Sequence, residues 1–147
     1  MTKASDKELE TVLERMSVQS ILDMKENFKE VSYRALEKLN KDCVMSFGFY
    51  GLDVLCGCCF LFDAGDVYNL VTYTTTAFVK LKDEAKFDVK KQLKELKNKE
   101  INAIVYIGAN QVLSLLYSVG FVPDKKVKGH YKLLKMVNEW IRIMKIL

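Results

Sequence analysis

Residues 101–121, INAIVYIGANQVLSLLYSVGF, decide the fold class. The first seven residues form a short apolar run, which is typical of a buried central strand. Gly108, Ala109 and Asn110 then turn the chain, and leucines and valines at helical spacing follow until Gly120 ends the helix. This stretch therefore predicts a strand over 101–107, a helix up to Gly120 and a further strand that opens at Phe121.

The sequence before this stretch alternates between apolar and polar residues with the period of two that strands show. The alternation predicts strands over 43–49, 52–62 and 67–76, with a tight turn at Tyr50–Gly51 and a second turn over 63–66. Because both connections are short, we expect the three strands to form an antiparallel meander.

Before and after the meander in the sequence, apolar residues recur at the spacing of a helix. Ser5 and Glu8 have the spacing of a capping box, which predicts a first helix over 5–16. Three further elements follow from the pattern: a helical stretch over 20–40, with a break at a turn near Asn27 as an open alternative, a lysine-rich helix over 80–99 and a closing hairpin over 121–137. The predicted order is αα-βββ-α-β-α-ββ in a mixed sheet of the α/β (α+β) class. We expect one domain over 1–147, with a helical part over 1–41 and an amphipathic tail over 138–147.

The charge is unevenly distributed along the 147 residues, whose net charge is +4. Residues 1–79 carry 8 basic and 12 acidic side chains, whereas residues 80–147 carry 15 basic and 7 acidic side chains. The second part would attract an anion, such as nucleic acid, a phosphorylated cofactor or an acidic protein. No apolar run is long enough to span a membrane, and the charged start is unlike a signal peptide, so we expect a cytoplasmic protein with reduced thiols.

Asn110 after the buried strand, the Leu116–Tyr117 pair and Gly120–Phe121 together resemble the acetyl-CoA-dependent N-acetyltransferase (GNAT) superfamily. The order of elements is also similar to that superfamily, and the resemblance covers residues 43–137. It implies a GNAT-like fold with a splay between the two neighbouring parallel strands 67–76 and 101–107.

The resemblance also implies a cofactor and its binding residues. Acetyl-CoA would lie in the splay, and its pantetheine arm would pair with the backbone at Tyr73, Thr74 and Thr75 like an added strand. Asn110 would contact the pantetheine arm. Tyr117 would protonate the leaving thiolate as a general acid, or it would only pack the helix against the sheet.

One departure from the family argues against tight cofactor binding. Family members carry a glycine-rich loop whose bare amides hold the pyrophosphate at a helix N-terminus. The corresponding residues 77–86, AFVKLKDEAK, contain no glycine. Lys80, Lys82 and Lys86 could supply point charges to coenzyme A, but they do not reproduce the loop.

The glycine-free helix, the Tyr50–Gly51 pair and the aromatic strand ending in Val71–Thr72 are also similar to an internal virion protein of short-tailed phages, over residues 45–137. That likeness implies a bacteriophage-encoded, virion-associated protein that acts mainly by binding, with weak or no catalysis. An active N-acyltransferase that acetylates an amine is the alternative. A nucleic-acid-binding module, which would use the basic half, is the second alternative.

The remaining reactive residues have plainer interpretations. Alternation places Cys56 and Cys58 on one face of a strand and Cys59 on the other, which is unsuited to a zinc site, so we expect no metal. His130 is interpreted as a residue of an exposed turn. The tail over 138–147 is expected to dock on the protein's own core, on a protein partner or on a second copy in a homo-oligomer.

Overall fold

The computed structural model describes residues 2–96, 99–128 and 131–136. The helices are α1 (Asp6–Glu14), α2 (Val18–Phe28), α3 (Tyr33–Asp42), α4 (Phe78–Leu93) and α5 (Asn110–Ser118). The strands are β1 (Met45–Gly51), β2 (Val54–Asp63), β3 (Val67–Thr74), β4 (Glu100–Tyr106), β5 (Val122–Lys128) and β6 (Tyr131–Met136). This mixed α/β order confirms the predicted class, apart from one additional helix near the N-terminus.

The six strands form one mixed sheet with the order β1-β2-β3-β4-β6-β5. The predicted antiparallel meander is confirmed for β1, β2 and β3, and the predicted closing hairpin is confirmed for β5 and β6. β4 lies between β3, to which it is parallel, and β6, to which it is antiparallel. This arrangement places one parallel pair at the centre of the sheet.

Helices cover both faces of the sheet and bury a separate core on each. On one face, α4 packs against β1 and β2, and α5 packs against β3 and α4. On the other face, α1 and α3 pack against β2. The odd and even residues of the meander strands are buried on opposite faces, which explains why these strands contain so few polar residues.

The helical stretch predicted over 20–40 forms two helices, and the break left open near Asn27 lies at Lys29. α2 ends at a left-handed Lys29, whose φ is +62°, and α3 begins after Ser32, whose hydroxyl accepts a hydrogen bond from the Ala35 amide at 3.1 Å. A helix cannot continue through a left-handed residue, so the chain turns between the two caps. The capping box predicted at Ser5 and Glu8 is present at the start of α1.

The first hairpin turn lies two residues beyond its predicted place. Leu52 and Asp53 both have positive φ, at +48° and +65°, and they connect β1 to β2. Gly51 serves a different purpose, because a Cβ on it would approach the main-chain oxygen of Leu81 in α4 to 3.0 Å. The glycine is therefore explained by helix packing rather than by the turn.

A β-bulge in β2 overturns the prediction that Cys56 and Cys58 share a face. Phe49 pairs with Gly57 but Tyr50 pairs with Leu55, so Cys56 is an extra residue that shifts the alternation. Cys56 and Cys59 therefore belong to the core beneath α4 and α5, whereas Cys58 belongs to the core beneath α1 and α3.

Gly57 at this bulge gives a test of the packing. A Cβ at this position would overlap the carbonyl oxygen of Tyr73 and the ring of Phe49. We expect Gly57→Ala to lower the free energy of unfolding by about 2 kcal/mol or more, as overpacked core substitutions do. Urea unfolding followed by circular dichroism measures this change.

Gly65→Asn is the matched control for Gly57→Ala. Gly65 has a φ of +90°, and a Cβ there would meet nothing within 4 Å. Asn tolerates positive φ better than other side chains, so this variant should lose less than about 1 kcal/mol. Equal stability losses in the two variants would contradict the close contact inferred at Gly57.

Candidate functional site

The candidate site is the opening between β3 and β4. The two parallel strands pair from Val67 with Glu100 as far as Leu70 with Ala103, and no pairing of the described residues continues beyond that point. The splay implied by the resemblance is therefore present, and it begins at Leu70. Past the last pair, β3 continues for four residues, from Val71 to Thr74, and β4 continues for three residues.

The connection between α1 and α2 bonds the edge of β3 that faces this opening. The Ser17 amide donates to the Thr74 carbonyl oxygen at 2.9 Å, and the Thr76 amide donates to the Arg15 carbonyl oxygen at 2.9 Å. These bonds flank an antiparallel bridge between Met16 and Thr75. A short segment of the chain thus pairs with the strand edge on which the family's pantetheine arm would be expected.

Side chains of α2 strengthen the same junction. The Thr74 amide donates to the Ser20 hydroxyl at 2.9 Å, and the Thr74 hydroxyl lies 2.8 Å from that of Ser17. All three residues are buried. Buried polar groups must be hydrogen-bonded to avoid a desolvation penalty, and these three hydroxyls satisfy one another and the end of β3.

α2 also reaches the other side of the opening. The carboxamide oxygen of Gln19 accepts a hydrogen bond from the Gln111 amide at 3.0 Å, at the first turn of α5. Gln19 thereby bonds an amide that has no partner within its own helix. α2 is thus held both to the edge of β3 and to the N-terminus of α5, and it bridges the cleft between them.

A small cavity remains beneath α2. Its walls come from four elements, namely α2 (Asp23, Asn27), β3 (residues 70–72), β4 (Ile104, Val105) and α5 (Val112, Leu116). Ile104 is 56% exposed, so the cavity opens towards solvent on the β4 side. The cavity lies at the start of the splay, where β3 and β4 separate.

Asp23 gives this cavity its chemical character. The residue is only 5% exposed, and its carboxylate accepts a hydrogen bond from the Asn27 carboxamide at 2.8 Å. Desolvation by burial raises the pKa of Asp23 from 3.8 to about 6, and the bond from Asn27 opposes part of this rise. A carboxyl group with this pKa exchanges its proton near neutral pH, unlike ordinary surface aspartates.

Sequence reasoning missed Asp23 and its neighbours on α2. The signal was present, because Ser20, Asp23 and Asn27 recur at helical spacing and therefore share one face of a helix. Ser17 also directly follows the first helix predicted over 5–16, a serine is a common N-cap, and Ser17 does cap α2. Nothing in the sequence indicated that this polar face would meet β3.

The residues predicted to pair with pantetheine lie at the end of β3. Tyr73, Thr74 and Thr75 are all buried. The Thr75 amide donates to the Cys56 carbonyl oxygen of β2, so its main chain faces away from the opening. Thr74 faces the opening, and its amide and carbonyl groups are bonded to Ser20 and Ser17. A cofactor pairing there would have to replace those two bonds.

The predicted residues of the other wall lie on α5. Asn110 is the exposed first residue of α5, one position before the amide that Gln19 bonds. Tyr117 is 38% exposed and follows Leu116, which lines the cavity. The roles predicted for both residues stay predictions.

The predicted phosphate contacts lie on the first half of α4. Lys80 and Lys82 are exposed and Lys86 is half-buried. Ala77 precedes α4 without a side-chain cap, and Leu81 breaks the helical backbone at φ −122° and ψ 23°. The loop between β3 and α4 has only three residues, which is shorter than a phosphate-binding loop of the glycine-rich type.

Among the described residues, no group of three or more His, Cys, Asp and Glu side chains is placed to hold a metal ion. The four thiols are free and buried. Within the described part of the chain, no helix has both the length and the apolar character needed to cross a membrane. The predictions for His130 and for the tail over 138–147 fall outside the described residues.

Comparison with known proteins identifies the fold. No family model and no curated protein sequence matches the chain. A PaiA N-acetyltransferase from Thermoplasma acidophilum, solved in complex with coenzyme A, matches with a TM-score of 0.62 and 16% identity over 92% of this chain and 96% of its own. A GNAT-family acetyltransferase from Bacillus anthracis matches with a TM-score of 0.59 and 17% identity over 92% of each chain.

A further solved structure has the same architecture. It is a chimera of the spermidine N-acetyltransferase SpeG from Vibrio cholerae and hSSAT, with a TM-score of 0.61 and 15% identity over 92% of each chain. The protein thus has the fold of the GNAT acetyltransferases. At these identities the likeness establishes the fold, and the activity must be argued from the site.

The raised pKa of Asp23 predicts a pH-dependent stability. A raised pKa in the folded state stabilises the protein below the unfolded-state value of 3.8, and this contribution is lost as the pH rises through about 6. Asp23→Asn keeps a carbonyl for Asn27 but cannot ionise. At pH 8 we expect it to raise the free energy of unfolding by about 1–3 kcal/mol, and near pH 4 to leave it nearly unchanged.

Chemical denaturation at several pH values measures this difference. Asp83→Asn, on the exposed side of α4, is the control and should change the stability by less than about 0.5 kcal/mol at either pH. A destabilised Asp23→Asn variant at pH 8 would contradict the burial of an uncompensated carboxylate.

The thiols allow a second test of the core. Burial raises the pKa of the Cys59 thiol to about 12 and that of Cys58 well above its ordinary value. Only thiolates react with disulfide reagents, so both should be labelled at least about 100-fold more slowly in the native protein than in urea. Mass spectrometry of peptides after labelling with DTNB identifies each site, and fast native labelling of Cys58 or Cys59 would contradict this packing.

Proposed function

We propose that this protein is a degenerate member of the acetyltransferase fold that acts by binding, with weak or no catalysis. The observation that carries this proposal is the occupation of the Thr74 edge by Ser17 and Ser20. A pantetheine arm binds such an edge through main-chain hydrogen bonds, as an added strand does. Here the protein's own chain already makes those bonds.

The start of α4 supports the same conclusion. Phosphate binding at a helix N-terminus depends on amides that approach the anion without an intervening side chain. The residues between β3 and α4 are Thr75, Thr76 and Ala77, and α4 then begins with the buried Phe78. Exposed lysines further along α4 attract an anion but do not fix its position.

We further propose that the protein is encoded by a bacteriophage and carried in the virion, and that the host cytoplasm contains it before assembly. The support is the sequence likeness over residues 45–137 to an internal virion protein of short-tailed phages. Mass spectrometry of purified particles from the encoding phage should detect the protein. Its presence in infected cells together with its absence from the particles would overturn this part of the proposal.

The proposal predicts that coenzyme A binds weakly. A ligand that binds only the native state raises the melting temperature, and a Kd of 10 µM would stabilise the protein by about 2.7 kcal/mol at 1 mM ligand. For a chain of this length such a gain corresponds to a rise of about 5–10 °C. We expect acetyl-CoA or coenzyme A at 1 mM to raise the melting temperature by less than about 1 °C.

Isothermal titration is the independent check on this result. AMP is the control ligand, because it shares the adenine and a phosphate with coenzyme A but has no pantetheine arm. A micromolar Kd for coenzyme A, with no binding of AMP, would mean that the pantetheine edge is accessible. That result would overturn the proposal.

An active N-acyltransferase is the second candidate function. The observation that favours it is the opening between β3 and β4, together with the likeness to acetyltransferase structures, one of which holds coenzyme A. In this case acetyl-CoA would enter the opening after α2 moves, an amine would attack the thioester directly and Tyr117 would protonate the leaving thiolate. Asp23 lines the cavity at the start of this opening.

Tyr117→Phe distinguishes the two functions. Release of the coenzyme A thiol from acetyl-CoA is measured with a panel of primary amines, and our proposal predicts little or no release above the uncatalysed rate. Ser118→Ala, one residue further along α5, is the control. Release by the wild type and by Ser118→Ala that falls about 100-fold in Tyr117→Phe would establish the acyltransferase, because general-acid catalysis contributes about 10²–10⁴-fold.

Nucleic-acid binding finds less support. The lysines of α4 alternate with Asp83, Glu84 and Asp88, which weaken the positive field of the helix. Binding through phosphates would weaken steeply with added salt. An affinity for DNA that does not change with salt would rule out this function.

A further inference from the structure

α2 has an unusual distribution of polar and apolar residues. Val18 and Leu22, one turn apart, are 71% and 48% exposed. The buried side of the same helix carries Ser20 and the carboxylate of Asp23 beside the apolar Met24. A surface helix ordinarily turns its apolar residues inwards, so α2 lies in the cleft with part of its polar face inside.

The contacts of α2 with the cleft are few and specific. They comprise the bonds from Ser17 and Ser20 to Thr74 and the bond between Gln19 and the Gln111 amide. Beneath Asp23 and Asn27 the packing leaves the cavity described above. Met24 of α2 is fully buried in the core beneath α1 and α3, and Ile21 and Phe28 pack against the same core, so moving α2 away costs these apolar contacts. The unfilled space beneath Asp23 means that the opposite face of α2 adds little to this cost.

We propose that α2 is a displaceable strap, which closes the cleft between β3 and β4 and leaves it when the carboxyl group of Asp23 ionises. While the strap is closed, burial disfavours the charged form of Asp23 and raises its pKa to about 6. While the strap is open, water solvates the carboxylate and the edge of β3 at Thr74 becomes accessible. The strap concerns the same cleft as the proposed function, but it operates whether or not coenzyme A binds there.

Asp23 is the titrating group in this cleft. The side chains that β3, β4 and α5 contribute to the cavity walls are apolar apart from the hydroxyl of Thr72, and none of them ionises. On α2 itself, the charged residues Lys25 and Glu26 are exposed. The direction of the switch follows, because raising the pH charges Asp23 and no described neighbour in the cavity compensates that charge.

Hydrogen exchange of single amides in the full chain, measured by NMR, tests the strap. Local opening should expose Met24 in α2 and Thr74 in β3 without exposing Cys59 in β2. After correction for intrinsic exchange rates, we expect Met24 and Thr74 to be protected at least about tenfold less than Cys59 at pH 7.5. We call the ratio of the protection of Cys59 to that of Met24 or Thr74 the protection gap. Between pH 5 and pH 7.5 this gap should widen by about tenfold, since the carboxyl group binds its proton more tightly in the closed state.

Two variants test separately the ionisation of Asp23 and the hydrogen bond that holds the strap at Thr74. In Asp23→Asn the gap should persist but should no longer change with pH. In Ser20→Ala, which removes the acceptor for the Thr74 amide, the protection of Met24 should fall while that of Cys59 stays unchanged. Ser118→Ala is the control and should alter neither amide.

The outcomes that would overturn the strap are distinct from those that would overturn the proposed function. Equal protection of Met24 and Cys59 in the wild type would make α2 a fixed part of the core, and a pH-dependent gap that survives in Asp23→Asn would exclude Asp23 as the switch. Tight binding of coenzyme A would overturn the binding role but not the strap. In that case coenzyme A should lower the protection of Met24, because coenzyme A and α2 cannot both occupy the edge of β3 at Thr74.

Discussion

The separation of two parallel strands is the constraint on which the rest of this structure depends. Beyond Leu70 and Ala103, β3 and β4 no longer bond each other, and the main-chain groups of β3 need other partners because unpaired buried amides and carbonyls are costly. In this protein Arg15, Ser17 and Ser20 supply those partners. The N-terminal helices are therefore part of the sheet's hydrogen bonding as well as a cover for its core.

This solution has an electrostatic consequence. Placing α2 across the opening buries Asp23 in a largely apolar cavity, where its carboxyl group holds a proton to higher pH than a surface aspartate does. The burial opposes folding at neutral pH, whereas the hydroxyl bonds to Thr74 favour it. The balance between these two contributions makes α2 the element of the cleft that is best suited to move.

Much of the fold could be predicted from the sequence because its elements follow local rules. The capping box at Ser5, the alternation in the meander strands and the helix that stops before Gly120 each depend on neighbours within a few residues. The errors arose where distant contacts decide the local conformation. Leu52 takes a positive φ within a hairpin, and the extra residue at Cys56 reverses which face the earlier part of β2 presents.

The candidate site also has features that could be predicted from the sequence and features that could not. The order of elements along the chain follows from the local pattern, whereas the parallel pair and its splay were expected only because the residues around 110–121 resemble the acetyltransferase superfamily. The role of α2 does not follow from its sequence, since the polar side chains of Ser20, Asp23 and Asn27 are equally compatible with a solvent-exposed face. Only the tertiary structure turns Ser20 and Asp23 inwards, because an open strand edge at Thr74 and an uncapped helix at Gln111 offer hydrogen-bonding partners that lie far away along the chain.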